Sequence, residues 1–243
     1  MTRGSTSTRT WGGAAFAGLL AFLIAAPAAY PEAYIGGQIG FTAAGKSLSN
    51  VELTEFSPVG TMSDRALATS PIFGIKAGYY FPRARWFGIE TELYQTTPHI
   101  KQQSTTITIP SGAVLKDFGP VAGGTSTGIL SGDQFRVRTW VPVNFMFRYH
   151  KTRLQPYFGF GPGVFMARVK TTAAGFEGTQ SSTQLGLNVK LGAEYFITRN
   201  LSAAIEGRYN RATFDFDPNG NGGFGFRADY EMIFAAVGLN YHF

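Results

Sequence analysis

The stretch FRVRTWVPVNFMFRY, residues 135–149, decides the fold because its side chains alternate along most of its length. In an extended chain one face would carry Phe135, Val137, Thr139, Val141, Val143, Phe145, Phe147 and Tyr149, and the other Arg136, Arg138, Trp140, Asn144, Met146 and Arg148. Successive side chains of a β-strand point to opposite faces, so a period of two predicts a strand with one apolar face. Pro142 lacks the N–H that a sheet uses, and we expect a bulge or a barrel rim there.

Other segments have the same period and predict strands on either side of this one. They are residues 34–42, 72–81, 86–95, 157–166, 184–195, 201–210 and a last strand that ends at Phe243. Short turns are expected at 82–85, 150–153 and 197–200, and longer loops near 43–68, 97–133, 171–181 and 214–225. These connections predict an all-β fold, an antiparallel up-and-down β-barrel of about eight strands with three turns and both termini at one end. Within the second loop, residues 106–109 and 113–115 predict a small hairpin, which would raise the count to about ten strands.

The composition excludes several classes of function. Charged residues make up 15% of the chain, against roughly 25% in soluble domains, so part of the surface is expected to face something other than water. There is no cysteine, which excludes disulfides. The formal net charge is +6, but the basic residues are dispersed, and we expect no nucleic-acid partner.

The first residues have the pattern of an export signal. Arg3 and Arg9 precede an apolar run over residues 14–26, and the small residues Ala26-Pro27-Ala28 suit a signal peptidase. The run is shorter than the ~20 residues of a membrane-spanning helix. We therefore expect a signal peptide over residues 1–28, cleaved on export, followed by one barrel domain over residues 33–243.

Alternation alone fits a soluble barrel with its apolar face inward as well as a membrane barrel with that face outward. Large aromatic residues crowd the turn-proximal ends of the apolar face, as in an interfacial girdle. They are Tyr79, Phe81, Phe87, Phe145, Phe147, Tyr149, Phe158, Phe160, Tyr195, Tyr241 and Phe243. The opposite face carries charges of both signs, at Lys76, Glu90, Glu92, Arg136, Arg138, Arg148, Lys190, Glu194, Glu206 and Arg208. Such charges can pair inside a narrow lumen, so we expect a transmembrane barrel with an interior charge network.

The chain ends in GLNYHF, residues 238–243, which resembles the C-terminal signature that outer-membrane barrels present to their assembly machinery. Tyr241 and Phe243 are the matching aromatic residues. With WVPVN at 140–144, QPYFGFG at 155–161 and GAEYFITRNL at 192–201, residues 33–243 resemble the OmpA-like and OmpX-like barrel families. The resemblance implies an integral protein of the cell outer membrane, with loops outside, turns in the periplasm, and outer-membrane lipid and lipopolysaccharide around it. We expect a monomer without the peptidoglycan-binding domain of full-length OmpA relatives.

Candidate chemistry is sparse. His99, His150 and His242 show no Ser/His/acid spacing, so no catalytic residue and no enzymatic activity are expected. Asp215, Asp217 and Asn219 copy the opening of a calcium loop, but Phe226 occupies the position of its bidentate Glu. We expect a plain turn there, with only a weak candidate for metal binding, and no cofactor.

Three functions remain open from the sequence. The first is a structural or surface-interaction role through long extracellular loops. The second is a small pore or solute passage across the outer membrane, lined by the interior charges. The third is a soluble, secreted, lipocalin-like carrier in which the two faces are reversed.

Overall fold

The computed structural model describes residues 33–130, 132–171, 178–218 and 223–243, apart from the side chain of Lys46. The expected signal peptide lies outside these residues. Within the described ranges, no helix is long and apolar enough to cross a membrane.

The described chain forms fifteen strands. They are β1 (Ala33–Leu53), β2 (Phe56–Ser57), β3 (Gly60–Met62), β4 (Arg65–Ala66), β5 (Pro71–Phe81), β6 (Ala84–Thr96), β7 (Gln103–Ile109), β8 (Val114–Leu115), β9 (Gly119–Pro120), β10 (Gly124–Leu130), β11 (Gln134–Arg148), β12 (Leu154–Thr171), β13 (Gly178–Phe196), β14 (Leu201–Phe216) and β15 (Phe226–His242). The expected strands are all present, and several run farther into the expected loops than their alternation indicated.

Eight antiparallel strands close into a barrel in the order β1, β15, β14, β13, β12, β11, β6, β5 and back to β1. The closing strand is β1, in which Ile35 pairs with Tyr241 on one side and with Ala77 on the other. Closure satisfies the backbone hydrogen bonds of the spanning segments without a free edge, which a lipid environment requires. The predicted eight-stranded, antiparallel, up-and-down barrel is confirmed. Its outer face near the short turns exposes large apolar side chains such as Ile39, Phe73 and Leu191, as in a transmembrane barrel and opposite to the reversed faces of a soluble carrier.

The end of the barrel opposite the short turns carries additional strands. β1 continues upward and pairs with β3, which pairs with β7, and β7 pairs with β10. The hairpin expected between residues 106–109 and 113–115 is therefore wrong, because β8 pairs with β2 and β9 instead. Cross-strand threonine pairs add to the β7–β10 pairing, with hydroxyl bonds of 3.0 Å between Thr106 and Thr127 and 3.2 Å between Thr108 and Thr125. These strands extend the sheet outside the ring, which keeps eight members.

A bulge at Pro142 reverses the two faces of β11. Val141 pairs with Glu92 and Asn144 with Glu90, so two residues of β11 stand against one of β6. Such an insertion moves every later side chain to the other face. The bulge confirms the expectation at Pro142. It also corrects the face assignment: Arg136 and Arg138 are exposed on the outside of the barrel, while their neighbours Phe135, Val137, Thr139 and Val141 are buried inside.

The interior consequently has two halves. The half near the short turns is polar, and the half near the long loops is an apolar core of Leu48, Val51, Leu67, Ile72, Tyr94, Ile100, Phe135, Val137, Val141, Phe165, Ala167, Val169, Ala212, Phe214, Phe216, Ala228, Tyr230, Met232 and Phe234. The outer face changes in the opposite sense. It exposes apolar side chains around the polar half and polar ones, such as Arg168, Lys170, Arg211 and Arg227, around the apolar core. The upper parts of β11, β12, β14 and β15 therefore have the pattern of a water-exposed barrel, which predicts that they extend beyond the lipid.

Candidate functional site

The polar half of the interior is centred on six charged side chains from four strands, β5, β6, β13 and β14. The cations are Lys76, Lys190 and Arg208, and the carboxylates are Glu90, Glu92 and Glu206. All six are buried, and their formal charges cancel. A buried charge requires partners because the lumen replaces the water that would otherwise solvate it.

Lys190 and Arg208 connect the three carboxylates. Lys190 Nζ pairs with Glu90 and lies 3.4 Å from Glu92 Oε1 and 3.7 Å from Glu206 Oε2. The Arg208 guanidinium pairs with Glu206 and lies 2.5 Å from Glu92 Oε2. Register explains the proximity, since Lys190 of β13 is directly opposite Arg208 of β14. Lys76, the third cation, lies 3.4 Å from Glu206 Oε2.

Neutral side chains fill the remaining cross-section of the lumen. The Tyr34 hydroxyl donates to Glu90 over 2.5 Å, the Tyr157 hydroxyl to Glu206 over 2.6 Å, and Asn144 Nδ2 to Glu92 over 2.6 Å. Interior glycines leave the space for these long side chains. A Cβ at Gly159, for example, would be 2.5 Å from Met146 Sδ and 3.2 Å from Lys190 Cε.

The remaining predicted interior charges lie nearer the end with the short turns. Arg148 stacks on Tyr80, with its guanidinium carbon 3.6 Å from the ring centre, and its Nε donates to the Arg85 carbonyl over 2.9 Å. Glu194 lies 3.1 Å from His242 Nε2, which is its ion-pair partner in place of the six-charge cluster. The predicted set therefore separates into a central cluster, two sites near the short turns and the outward-facing Arg136 and Arg138.

A Ser/His/acid grouping escaped the sequence analysis. Ser202 Oγ donates to Glu194 Oε1 over 2.5 Å, and both groups contact the same ring nitrogen of His242, at 3.0 and 3.1 Å. A catalytic triad instead uses the two ring nitrogens separately, one for the nucleophile and one for the acid. Ser202 and His242 are also fully buried. The alternation of their strands places both Ser202 and His242 on the inward face, and this could have predicted that the two side chains are close.

The mouth of the barrel at the long-loop end contains a cavity of about 300 Å³. Its walls are mainly apolar, from Leu48, Val51, Leu53, Met62, Ile100, Ile107, Leu130, Val169, Phe224 and Phe226. Arg65, Asp133, Thr171 and Gln180 form its polar part. Burial raises the pKa of the Asp133 carboxyl, and the positive charge of Arg65 opposes this shift. The cavity has the composition of a site for a small apolar molecule.

Four basic residues form a cluster on the outer face of β11 and β12. They lie just above the apolar belt, the band of exposed apolar side chains that surrounds the polar half of the interior. Arg136 pairs in register with Arg168, Gln134 with Lys170, and Arg138 with Met166. All four basic side chains, Arg136, Arg138, Arg168 and Lys170, are exposed. We call these four residues the basic cluster.

The calcium-loop candidate is only partly described. Asp215 Oδ2 accepts a bond of 2.9 Å from Arg227, which occupies one of its oxygens. Asn219 lies outside the described residues. Among the residues that are described, no group of three or more His, Cys, Asp or Glu side chains could hold a metal ion.

The C-terminal residues lie on the lipid-facing side. The rings of Tyr241 and Phe243 are 5.2 Å apart, and Tyr241 pairs with Ile35 of β1 and Leu201 of β14. The strand that carries the expected assembly signature therefore also closes the barrel. Recognition of Tyr241 and Phe243 by assembly machinery stays a prediction.

Comparisons with known proteins agree with this architecture. The structure is similar to that of Neisserial surface protein A, with a TM-score of 0.52 and 14% identity over 87% of this chain and 97% of that one. It is also similar to OprG from Pseudomonas aeruginosa, with a TM-score of 0.55 and 15% identity over 88% of this chain and 96% of the other. A search of curated protein sequences gave no match. The family model for the outer membrane protein beta-barrel domain matches residues 14–243. The chain belongs to the outer membrane protein β-barrel domain family.

Proposed function

We propose that the protein is a non-catalytic, non-conducting barrel of the outer membrane that acts through its extracellular part. The observation that carries this proposal is the filling of the lumen at two successive levels. The proposal includes export by a cleaved signal peptide and a monomeric barrel in lipid, since a closed ring needs no partner strand.

The first level is the six-charge cluster with its tyrosines and asparagines. An ion that crossed it would have to separate salt bridges such as Lys190–Glu90 and Arg208–Glu92. The second level is the apolar core, in which Phe135 packs against Phe214 and Tyr230 with ring centres 6.2 Å apart in both pairs. A permeating ion would lose its hydration there without gaining a polar partner. These two barriers argue against the pore.

The absence of catalysis is supported by the periplasmic Ser202, His242 and Glu194. The Ser202 hydroxyl donates to Glu194, and a serine nucleophile would instead donate to the histidine that removes its proton. The full burial of the hydroxyl leaves no approach for a substrate.

The surface role is supported by the extension above the ring. β10 is the last strand of its sheet and is exposed along nearly its whole length. An exposed edge strand offers backbone groups to which an extended segment of a partner can be added. Ile129 on this strand is 73% exposed and Phe118 nearby in the chain is 84% exposed, so apolar anchors accompany the edge.

Conductance across a planar bilayer tests the closed lumen. The full chain, refolded and inserted, is expected to give no more current than the bare bilayer. A variant in which Lys190 and Arg208 are both replaced by Ala removes the connecting cations and serves as the positive comparison. Steady single-channel currents from the parent chain would overturn the proposal in favour of the pore.

Replacement of residues 103–130 by a short Gly/Ser linker tests the surface role. The eight ring strands remain, so heat-dependent gel mobility should be unchanged. We expect bacteria that display the shortened barrel to lose any adhesion or aggregation that the full barrel confers at equal surface density. Equal adhesion by bacteria with the full and the shortened barrel would show that residues 103–130 do not carry the surface role.

The mouth cavity supports a second candidate, the binding of a small apolar solute. The probe is the environment-sensitive dye N-phenyl-1-naphthylamine, whose fluorescence rises in apolar sites. Val51→Trp would fill the cavity and should abolish a saturable signal from the refolded protein. A signal that is linear in dye and insensitive to this change would reject the candidate.

A further inference from the structure

The basic cluster places like charges directly against one another. Arg136 and Arg168 are a cross-strand pair on one face, and such pairs have Cβ atoms about 5 Å apart. Directly opposed like charges destabilise a sheet. Arg138 and Lys170 extend the same positive surface by one step on each side. The arrangement lowers stability unless an anion compensates it.

The described protein supplies no such anion. Within residues 33–130, 132–171, 178–218 and 223–243, no carboxylate forms an ion pair with any member of the cluster. Their register partners on the neighbouring strands are neutral, with Ser181 beside Arg168, Thr179 beside Lys170, and Gln95 accepting a bond of 2.8 Å from Arg138 Nε.

The other side of the barrel shows the contrast. Arg211 and Arg227 are also exposed on the outer face, on β14 and β15. Arg211 lies 3.4 Å from Glu231 and Arg227 lies 2.9 Å from Asp215. On that side the protein therefore neutralises its own exposed cations. At the basic cluster the cations remain available to an external anion.

The cluster adjoins an apolar groove on the lipid-facing surface. The groove has a volume of about 1020 Å³, and its walls include Ile39, Phe73 and Leu93. Gly37 leaves part of it open, since a Cβ there would meet no atom within 4 Å. Arg138 lines the groove as well. A ligand with an anionic head and an apolar chain can thus reach both features at once.

We propose that Arg136, Arg138, Arg168 and Lys170 bind the phosphate groups of an outer-leaflet glycolipid, the lipid A part of lipopolysaccharide, with an acyl chain in the groove beside Arg138. Guanidinium groups match phosphate with paired, charge-assisted hydrogen bonds, and the lysine adds a point charge. The position at the boundary between the apolar belt and the polar upper strands is the level of lipid phosphates. The inference is independent of the proposed surface role and of whether the lumen conducts.

Retention of lipid A by the full chain tests the inference. The refolded protein is placed in phosphatidylcholine nanodiscs that contain lipid A with both phosphates or the same lipid A after their removal. It is then extracted in mild detergent, and co-purified lipid A is measured by mass spectrometry. The test variant is Arg136→Gln with Arg168→Gln, and the matched control is Arg211→Gln with Arg227→Gln, which removes the same charge from exposed sites on the outer face.

We expect the test variant to retain about a hundredfold less phosphorylated lipid A, because it removes two arginines and each charge-assisted bond to phosphate is worth about a factor of ten in binding. The control variant should retain as much as the parent, and dephosphorylated lipid A should be retained equally weakly by all three. Equal loss in both variants, or no loss in either, would overturn the proposal. Displacement of lipid A by millimolar inorganic phosphate would overturn the lipid assignment in favour of any free phosphate.

Discussion

Replacement of Lys190 by Met tests whether the six-charge cluster stabilises the barrel. The change keeps most of the side-chain volume but leaves the buried carboxylates with one charge uncompensated. Lys190 pairs with Glu90 and is 3.4 Å from Glu92. At an effective dielectric constant of about 20, a pair at such a distance attracts by about 5 kcal/mol before desolvation is subtracted. Removing one partner of a buried pair typically costs about 3–5 kcal/mol net, which we expect here.

The measurement is urea unfolding of the full chain in lipid vesicles, followed by tryptophan fluorescence and by gel mobility of unboiled samples. The double variant Lys190→Met with Glu90→Gln restores neutrality and provides the control. It should recover at least half of the loss, since the remaining cations still balance Glu92 and Glu206. A single variant that costs less than about 1 kcal/mol, or a double variant that costs the sum of the two single changes, would refute the reasoning.

Three further changes test the fold. Gly161→Ala should destabilise the barrel by about 1–3 kcal/mol in the same unfolding assay, because the added Cβ would clash with the Val143 carbonyl oxygen. Gly37→Ala is the control and should change stability little, because a Cβ there meets no atom within 4 Å. Equal effects of the two changes would contradict the close approach of the strands at the bulge. Phe135→Ala should cost about 3–5 kcal/mol if the upper interior is a packed core, and an effect near zero would show a hydrated lumen. Burial raises the pKa of Asp133, so its contribution to stability falls as the pH rises through the unfolded value of about 3.9. Asp133→Asn should therefore remove part of the loss between acid and neutral pH, and identical pH profiles of parent and variant would reject this sign.

Much of the barrel could be predicted because alternation is a local property. Where Gly or a charged residue alternates with an apolar one, as at Lys76 and Ile75, the two faces of a strand can be assigned from its own sequence alone. Short connections then force adjacent strands to be antiparallel. The β7–β10 hairpin was missed for the opposite reason, since its two strands are separated by residues 110–123 and the nearer segment at 113–115 offered a shorter closure.

The outward position of Arg136 and Arg138 could not be read from β11 alone. Both faces of its upper part alternate as regularly as those of the lower part, and only the register across Pro142 shows that one residue has been inserted. A signal was nevertheless present in the composition. If Phe135 and Val137 faced lipid, their strand would carry arginines into the lumen at a level where β14 offers Phe214 rather than a carboxylate. Pairing of charges across the barrel therefore constrains the faces of β11 more strongly than its own alternation does.

That constraint also separates structural charges from charges available to a ligand. Inside the ring, the carboxylates Glu90, Glu92 and Glu206 balance three cations, and a net interior charge would have a large desolvation cost. Because of the bulge at Pro142, Arg136 and Arg138 lie on the outer face beside Arg168 and take no part in the interior charge balance. A cation in the lumen must be neutralised by the protein itself, whereas one at the edge of the lipid can be neutralised by the membrane. One inserted residue in β11 thus places Arg136 and Arg138 in the outward-facing basic cluster, the surface that we propose binds anionic lipid.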